Sequence, residues 1–390
     1  MRFVLFVVAL SHLLFAFEYK AQMGMEYRGY NNYEDEFIRH GKAKLSFENE
    51  LFRVDSSLEF LYSSEYAQKR YLLLNELYIS KEFDQYEVSF GKKINYFGEL
   101  EGYNVADIYN RKNSLQDPFD KSAKYGTIGA DLTRYFDENS FTFGAKLYEA
   151  DTRYAQKGTP YAPFALAYQK ELQLSNSRYT PSFYFMVNLT SQEFVESETK
   201  LLLYHGYDTK RDVVLQENLT LREYAYRVNK AVLLSHILYE DTLLKMELSY
   251  TDVIDYDAMS DYAQLSGGVE KSFYAVLGDA DVTLYGEYYR YLYVDDTKQK
   301  YKDSSEIYDN DLFVALRLSF NDVRGSELRC GVLQDLQKKE RVTELKYNTR
   351  IADSFMFHTE YLYIQSATHK SLLAGFDKSS RFVVGVDYTF

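Results

Sequence analysis

The chain ends Arg381-Phe-Val-Val-Gly-Val-Asp-Tyr-Thr-Phe390, and this stretch decides the fold. Counting back from the terminus, Tyr388, Val386, Val384 and Phe382 occupy every second position. Between them stand Thr389, Asp387, Gly385 and Arg381, with Val383 the one apolar member of that set. A period of two describes a strand with one face for an apolar medium and one for water. The strand runs to the last residue, with no polar tail behind it.

The same period recurs along the chain. Phe17, Tyr19, Ala21, Met23, Met25 and Tyr27 share a face, as do Tyr86, Val88 and Phe90, and then Phe141, Phe143, Ala145 and Leu147. Leu244, Met246, Leu248 and Tyr250 repeat it, followed by Leu312 to Phe320, then Leu328, Cys330 and Val332, then Phe355 to Tyr363. Turn signals separate these runs: Asp137-Glu-Asn-Ser140, Gly278-Asp279 and Asp322-Val-Arg-Gly325. Short connectors alternate with long polar ones such as Asp295 to Asn310. A membrane barrel with short turns at one end and long loops at the other requires that alternation.

At the amino end, Met1-Arg2 precedes an apolar run from Phe3 to Ala16, broken only by Ser11 and His12. That layout predicts a secretory signal peptide over residues 1–16, cleaved after Ala16. The run falls short of the ~20 residues a spanning helix needs, and no later run approaches that length. The remainder, residues 17–390, is expected to be one barrel. Its mean hydropathy is negative (−0.42 for the chain) although 17% of residues are aromatic, with 40 Tyr, 27 Phe and no Trp. Lipid-facing and lumen-facing residues cancel in such a chain, and Tyr would supply the interfacial girdles. Four prolines suit long ladders that proline would interrupt.

With 45 basic and 58 acidic residues the net charge is −13, which argues against nucleic acid as a partner. The lone Cys330 cannot close an internal disulfide, and six scattered His show no metal-ligand spacing. No cofactor, metal or catalytic residue is expected, because no nucleophile sits near a His in any recognisable motif. At roughly 20–24 residues per strand the mature chain makes about 16–18 antiparallel strands, a size that leaves an aqueous interior.

The aromatic carboxyl terminus resembles the closing strand of bacterial outer-membrane barrels. A second resemblance lies in Gly91-Lys-Lys93, Tyr96-Phe-Gly-Glu-Leu-Glu-Gly102 and Asn104-Val-Ala-Asp-Ile-Tyr-Asn110. These look like the strand-plus-loop signature of proteobacterial porin-like barrels, with Phe97 where many relatives carry Trp. The resemblance covers about 35 residues and is architectural elsewhere. It implies residence in the outer membrane among its lipids and assembly by the barrel-insertion machinery, read from Tyr388 and Phe390. It also implies a homotrimer as the assembly and passage of ions or small hydrophilic solutes as the function. Residues 94–126 are then the inward-folded constriction loop, with Glu99, Glu101, Asn104, Asp107, Asn110, Arg111 and Lys112 as candidate pore residues. The same Asn and Asp side chains could instead cap turns and a short helix over residues 105–110.

Strand phase names the lumen wall: Lys146, Lys245, Glu247, Arg317, Arg329, Glu344, Lys346, His358, Glu360, Arg381 and Asp387 lie opposite the apolar sets. A charged side chain facing lipid at the midplane would cost ~2–4 kcal/mol, so these point inward. Basic wall residues facing acidic loop residues would set a transverse field for sorting solutes. The competing reading is a barrel that serves as an adhesin or binding protein through its outer loops.

Overall fold

The computed structural model describes residues 17–115, 117–151, 153–193, 195–294, 306–367 and 371–390. The expected signal peptide lies outside the described residues, as does most of the 295–310 connector. Twenty-one strands follow in chain order: β1 (Phe17–Tyr30), β2 (Glu36–Glu48), β3 (Arg53–Ser63), β4 (Tyr71–Phe83), β5 (Tyr86–Lys93), β6 (Thr127–Phe136) and β7 (Asn139–Lys146). Next come β8 (Gln173–Leu174), β9 (Ser182–Ser191), β10 (Glu196–Tyr207), β11 (Asp212–Leu215), β12 (Leu221–Ala225), β13 (Arg227–Tyr239) and β14 (Thr242–Val253). The last are β15 (Tyr262–Leu277), β16 (Ala280–Tyr293), β17 (Asn310–Ser319), β18 (Glu327–Asp335), β19 (Arg341–Ala352), β20 (Phe355–Gln365) and β21 (Arg381–Thr389).

Eighteen of these form one sheet, each pairing antiparallel with its neighbours, while β8, β11 and β12 make a small sheet in the loops. The terminal strand closes the ring: β21 pairs with β1 from Gln22↔Thr389 to Tyr30↔Arg381, and the Phe390 N–H donates to the Ala21 carbonyl at 2.8 Å. Closure removes every free edge, which a hydrocarbon solvent demands of a sheet. Among the described residues no helix is long and apolar enough to cross a membrane.

The alternation sorts side chains as their chemistry requires. Tyr19, Met25, Phe37, Leu72, Phe90, Leu201, Leu244, Val314, Tyr361 and Phe382 are exposed on the outer face. Inward positions of the barrel strands include Glu26, Lys230, Glu247, Glu287 and Arg381, all buried. Cys330 sits on the exposed outer face, as its phase predicts. Tight turns join the strands at one end, with left-handed backbone at Asp84, Asp137 and Glu240. Long connections gather at the other end: 64–70, 94–126, 147–181, 208–226 and 366–380.

The lumen departs from a simple polar lining in one respect. Several inward positions are apolar and buried, among them Leu202, Val228, Val232 and Leu234 on one wall and Phe313, Leu333, Val342, Leu362 and Ile364 on another. Loops folded into the barrel cover both walls, and these contacts form its interior clusters.

Candidate functional site

β5 stops at Lys93 and β6 starts at Thr127, and the intervening segment leaves the wall to cross the lumen. Two asparagines clamp its departure and return. In β4 the register with β3 shifts between Ser57 and Leu58, leaving Asn75 as an extra, inward-turned residue. Its amide donates to the Lys124 carbonyl (2.9 Å) and accepts from the Gly126 N–H (2.8 Å). Asn110 accepts from the Asn95 N–H (2.7 Å) and donates to the carbonyls of Lys93 (3.1 Å) and Tyr125 (3.0 Å).

Asp107 organises the segment from within. It accepts from the N–H groups of Phe97 (3.0 Å) and Gly98 (3.3 Å), and from the Asn104 amide (3.3 Å). It also pairs with Lys124 at 2.6 Å. Burial holds the Lys124 ammonium below its usual pKa even with Asp107 against it. Residues 105–110 form turns and bends, not the short helix considered from sequence, because these side-chain contacts replace helical hydrogen bonds. Phe97, Ala106, Ile108 and Tyr109 then pack on Tyr184, Leu202, Val228, Val232 and Leu234. The Phe97 and Tyr184 rings meet edge-on at 5.5 Å.

The far side of the segment is held by two wall carboxylates. Glu247 of β14 accepts from the N–H groups of Glu99 (2.8 Å) and Ala106 (2.9 Å). Glu287 of β16 accepts from those of Glu101 (2.7 Å) and Gly102 (2.9 Å), and from the Tyr289 hydroxyl. Among the described residues neither carboxylate has a cationic partner; backbone N–H groups are what occupy their oxygens. Close approach requires glycine here. A Cβ on Gly98 would lie 2.3 Å from Asn104 Cβ and 3.0 Å from Glu247 Oε1, and one on Gly102 would lie 2.7 Å from the Tyr289 hydroxyl.

With their backbones gripped, Glu99 and Glu101 extend their side chains to the wall. Glu99 meets Lys200 Nζ (3.0 Å) and His236 Nδ1 (2.5 Å), while Lys245 donates to its carbonyl (3.1 Å). Glu101 meets Arg329 (3.2 Å) of β18 and Lys121 (4.0 Å) of its own loop. Ion pairs continue around the wall: Lys245–Glu270, Arg317–Glu270, Arg329–Glu344, Lys346–Glu344, Lys346–Glu360 and Arg381–Glu360. Arg381 also reaches back to Asp117 of the crossing segment at 2.7 Å. His358 lies 3.2 Å from Asp387 and 3.5 Å from Glu26.

The candidates named from sequence therefore divide. Glu99 and Glu101 project toward wall cations, whereas Asn104, Asp107 and Asn110 serve the segment's own framework. Arg111 binds Glu223 (2.6 Å) and the Tyr154 hydroxyl, tying the segment to other loops. Lys112 donates to the Pro118 carbonyl, and burial lowers its pKa. Lys146 is buried against Glu149 (2.8 Å), whose carboxyl is held down against its burial by Arg211 and Lys146. Tyr388 and Phe390 meet edge-on at 4.5 Å, at the end of β21. Lys200, His236 and Glu287 were not singled out from sequence. Their phase was readable, with Tyr285, Glu287 and Tyr289 alternating against Leu284, Gly286 and Tyr288.

No protein-family model matches the chain, and no curated protein matches it either. Solved structures do. Acinetobacter baumannii OccAB2 superposes with a TM-score of 0.55 at 10% identity, over 96% of this chain and 97% of that one. Pseudomonas aeruginosa OccK3 (OpdO) gives 0.54 at 10% identity, over 98% and 97%. Escherichia coli Wzi, titled an outer-membrane protein involved in group 1 capsule assembly and a carbohydrate-binding β-barrel, gives 0.54 at 10% identity, over 99% and 87%. At such identities the likeness is one of fold. What the chain shares with these outer-membrane proteins is a large closed barrel of antiparallel strands, here with an apolar outer face.

Proposed function

We propose that the chain is an outer-membrane channel for passive diffusion of ions or small hydrophilic solutes, with residues 94–126 as its constriction. One observation carries the reading. The segment crosses the lumen with its backbone fixed by Glu247 and Glu287, and directs Glu99 and Glu101 at Lys200, His236 and Arg329. These side chains are part-exposed, so water and solute reach a field of acids on one side and cations on the other. The chemistry is selection and passage, with no bond made or broken.

Planar-bilayer recording of the refolded full chain tests this. Stable conductance steps, with a reversal potential that moves when Glu99 and Glu101 are neutralised, are expected. A silent bilayer overturns the reading.

A second reading, a binding barrel with a blocked lumen, draws on a separate observation. Parts of the 147–181 and 366–380 connections turn inward, where Tyr161 and Phe376 pack edge-on at 6.2 Å in an aromatic and aliphatic cluster. The carbohydrate-binding title of Wzi makes neutral oligosaccharides the probe for it. Saturable binding of a neutral oligosaccharide by a chain that conducts nothing would favour this second reading.

A further inference from the structure

The His and Cys residues show no metal-ligand spacing in the sequence, but the fold brings three aspartates together. Asp309 ends the 294–309 connection, Asp311 opens β17 and Asp335 closes β18. One oxygen from each lies within 4.8 Å of the others, at the loop end of the barrel. Asp311 and Asp335 are direct cross-strand partners, and both are buried, at 2% and 4% exposure. Like charges placed directly opposite on one face destabilise a sheet, and burial sharpens the cost. Among the described residues the one cation paired with the cluster is Lys338, 2.5 Å from Asp309. Three carboxylates thus face one ammonium among the described residues, a balance that bound protons or a divalent cation would restore.

The oxygens are already sorted into used and unused. Asp335 Oδ1 accepts from the N–H groups of Gln337 (2.6 Å) and Lys338 (2.5 Å). Asp311 accepts from the Asn310 N–H (3.1 Å). Among the described residues no donor reaches Asp335 Oδ2 or Asp309 Oδ1, although both atoms are shielded from solvent. A buried carboxylate oxygen without a partner is costly, so a bound cation or a shared proton between the two is favoured.

We infer that Asp309, Asp311 and Asp335 hold a divalent cation of the calcium type at the loop end of the barrel. Calcium takes carboxylate oxygens at about 2.3–2.6 Å, so two ligands on opposite sides of one ion stand about 5 Å apart. The three oxygens, all within 4.8 Å of one another, meet that limit. A +2 ion cancels the residual charge and supplies both orphaned oxygens with a partner. A proton shared by Asp309 and Asp335 is the competing occupant. Asp335 resists it, because two backbone donors on its other oxygen favour the ionised form.

The ion would do more than neutralise. The Asp309 carbonyl accepts from the Tyr291 N–H at 2.9 Å, and the adjacent Tyr308 ring stacks on Tyr103 of the crossing segment at 4.5 Å and 11°. The site is thus one residue removed from a contact that steadies residues 94–126.

The test uses full-length protein in detergent, stripped with chelator and titrated with calcium chloride by calorimetry and by thermal unfolding. One saturable ion per chain with a raised Tm is expected. Asp335→Asn should abolish that binding, and Glu193→Gln, on an exposed turn, should leave it intact. Lys338→Met removes the competing ammonium and should tighten binding severalfold. Absence of saturable binding in the wild-type chain overturns the inference, as does equal binding by Asp335→Asn. Where Asp335→Asn does not fold, the Lys338→Met variant decides, and unchanged or weaker binding by it counts against the site.

Discussion

Two pairs of glutamates meet in the same lumen and do opposite work. Glu247 and Glu287, on the wall, turn their carboxylates to backbone N–H groups of the crossing segment and are almost fully buried. Glu99 and Glu101, on that segment, are the residues whose N–H groups are taken, and their own side chains face Lys200, His236 and Arg329. The difference lies in the partner. A carboxylate that meets fixed amide donors becomes an anchor, because its removal orphans them. One that meets mobile ammonium and guanidinium groups in part-exposed space contributes field and little stability.

The largest effect is expected from breaking the anchors. In Glu247→Gln with Glu287→Gln each side chain keeps one acceptor oxygen, so one buried N–H per site loses its partner. At about 1–3 kcal/mol for each orphaned donor, the pair should cost about 2–6 kcal/mol. Thermal unfolding in detergent reads that loss, and single-channel conductance should rise as the segment leaves the lumen. Unchanged Tm and conductance would mean that the aromatic contacts of Phe97 and Tyr103 hold the segment unaided.

Neutralising the other pair sharpens the contrast. Glu99→Gln with Glu101→Gln should change stability by less than about 1 kcal/mol per pair, since exposed ion pairs contribute little. Reversal potentials in a salt gradient should move toward anion preference, because Lys200, Lys245 and Arg329 remain. Adding Asp107→Asn tests the division within the segment. Asp107 is spent on Phe97, Gly98, Asn104 and Lys124, so the triple variant should lose stability while its selectivity stays that of the double.

Much of this is legible in the sequence. Strand phase placed Glu247, Arg329 and Arg381 inside and Phe382 outside, because a period of two leaves a side chain only two directions. It could not tell an anchor from a lining residue, since that depends on which loop atom arrives opposite. Asn75 shows the limit most clearly. In sequence it interrupts Leu72 to Ile79 as a stray polar residue, and only the bulge turns it inward to clamp the segment's return. The apolar inward positions Val228, Val232 and Leu234 break the expected polar lumen for the same reason: the loop they cover is distant in sequence.

A smaller effect should follow acid. Asp117 is buried, which would raise its pKa, but Arg381 and Lys346 outweigh burial and hold it well below its ordinary value of 3.8. A carboxyl depressed in the folded state contributes stability above its unfolded pKa and loses it as pH falls through the folded one. The Asp117–Arg381 tether should therefore be intact at neutral pH and weaken from about pH 4 downward. Asp117→Asn should remove that part of the acid dependence, with its Tm lower than wild type at neutral pH and converging on it only below pH about 2. An identical pH profile for the two proteins would show that Arg381 is held by Glu360 and Tyr161 without help from the segment.

The least effect on the finished barrel is expected at the terminal Phe390. The hydrogen bond that seats the terminus runs from the Phe390 backbone to Ala21, and the Phe390 ring is more than half exposed, touching Tyr388 edge-on. Phe390→Ala keeps the bond and sheds a ring that lipid contacts as readily as protein, so refolded protein should lose less than about 1 kcal/mol. Assembly in cells is a separate matter, because an insertion machinery would read the ring before the barrel closes. A steep fall in membrane-inserted protein, with normal Tm for the fraction that inserts, would separate signal from structure. Loss of both together would make the terminal ring a structural contact like the anchors at the other end of the comparison.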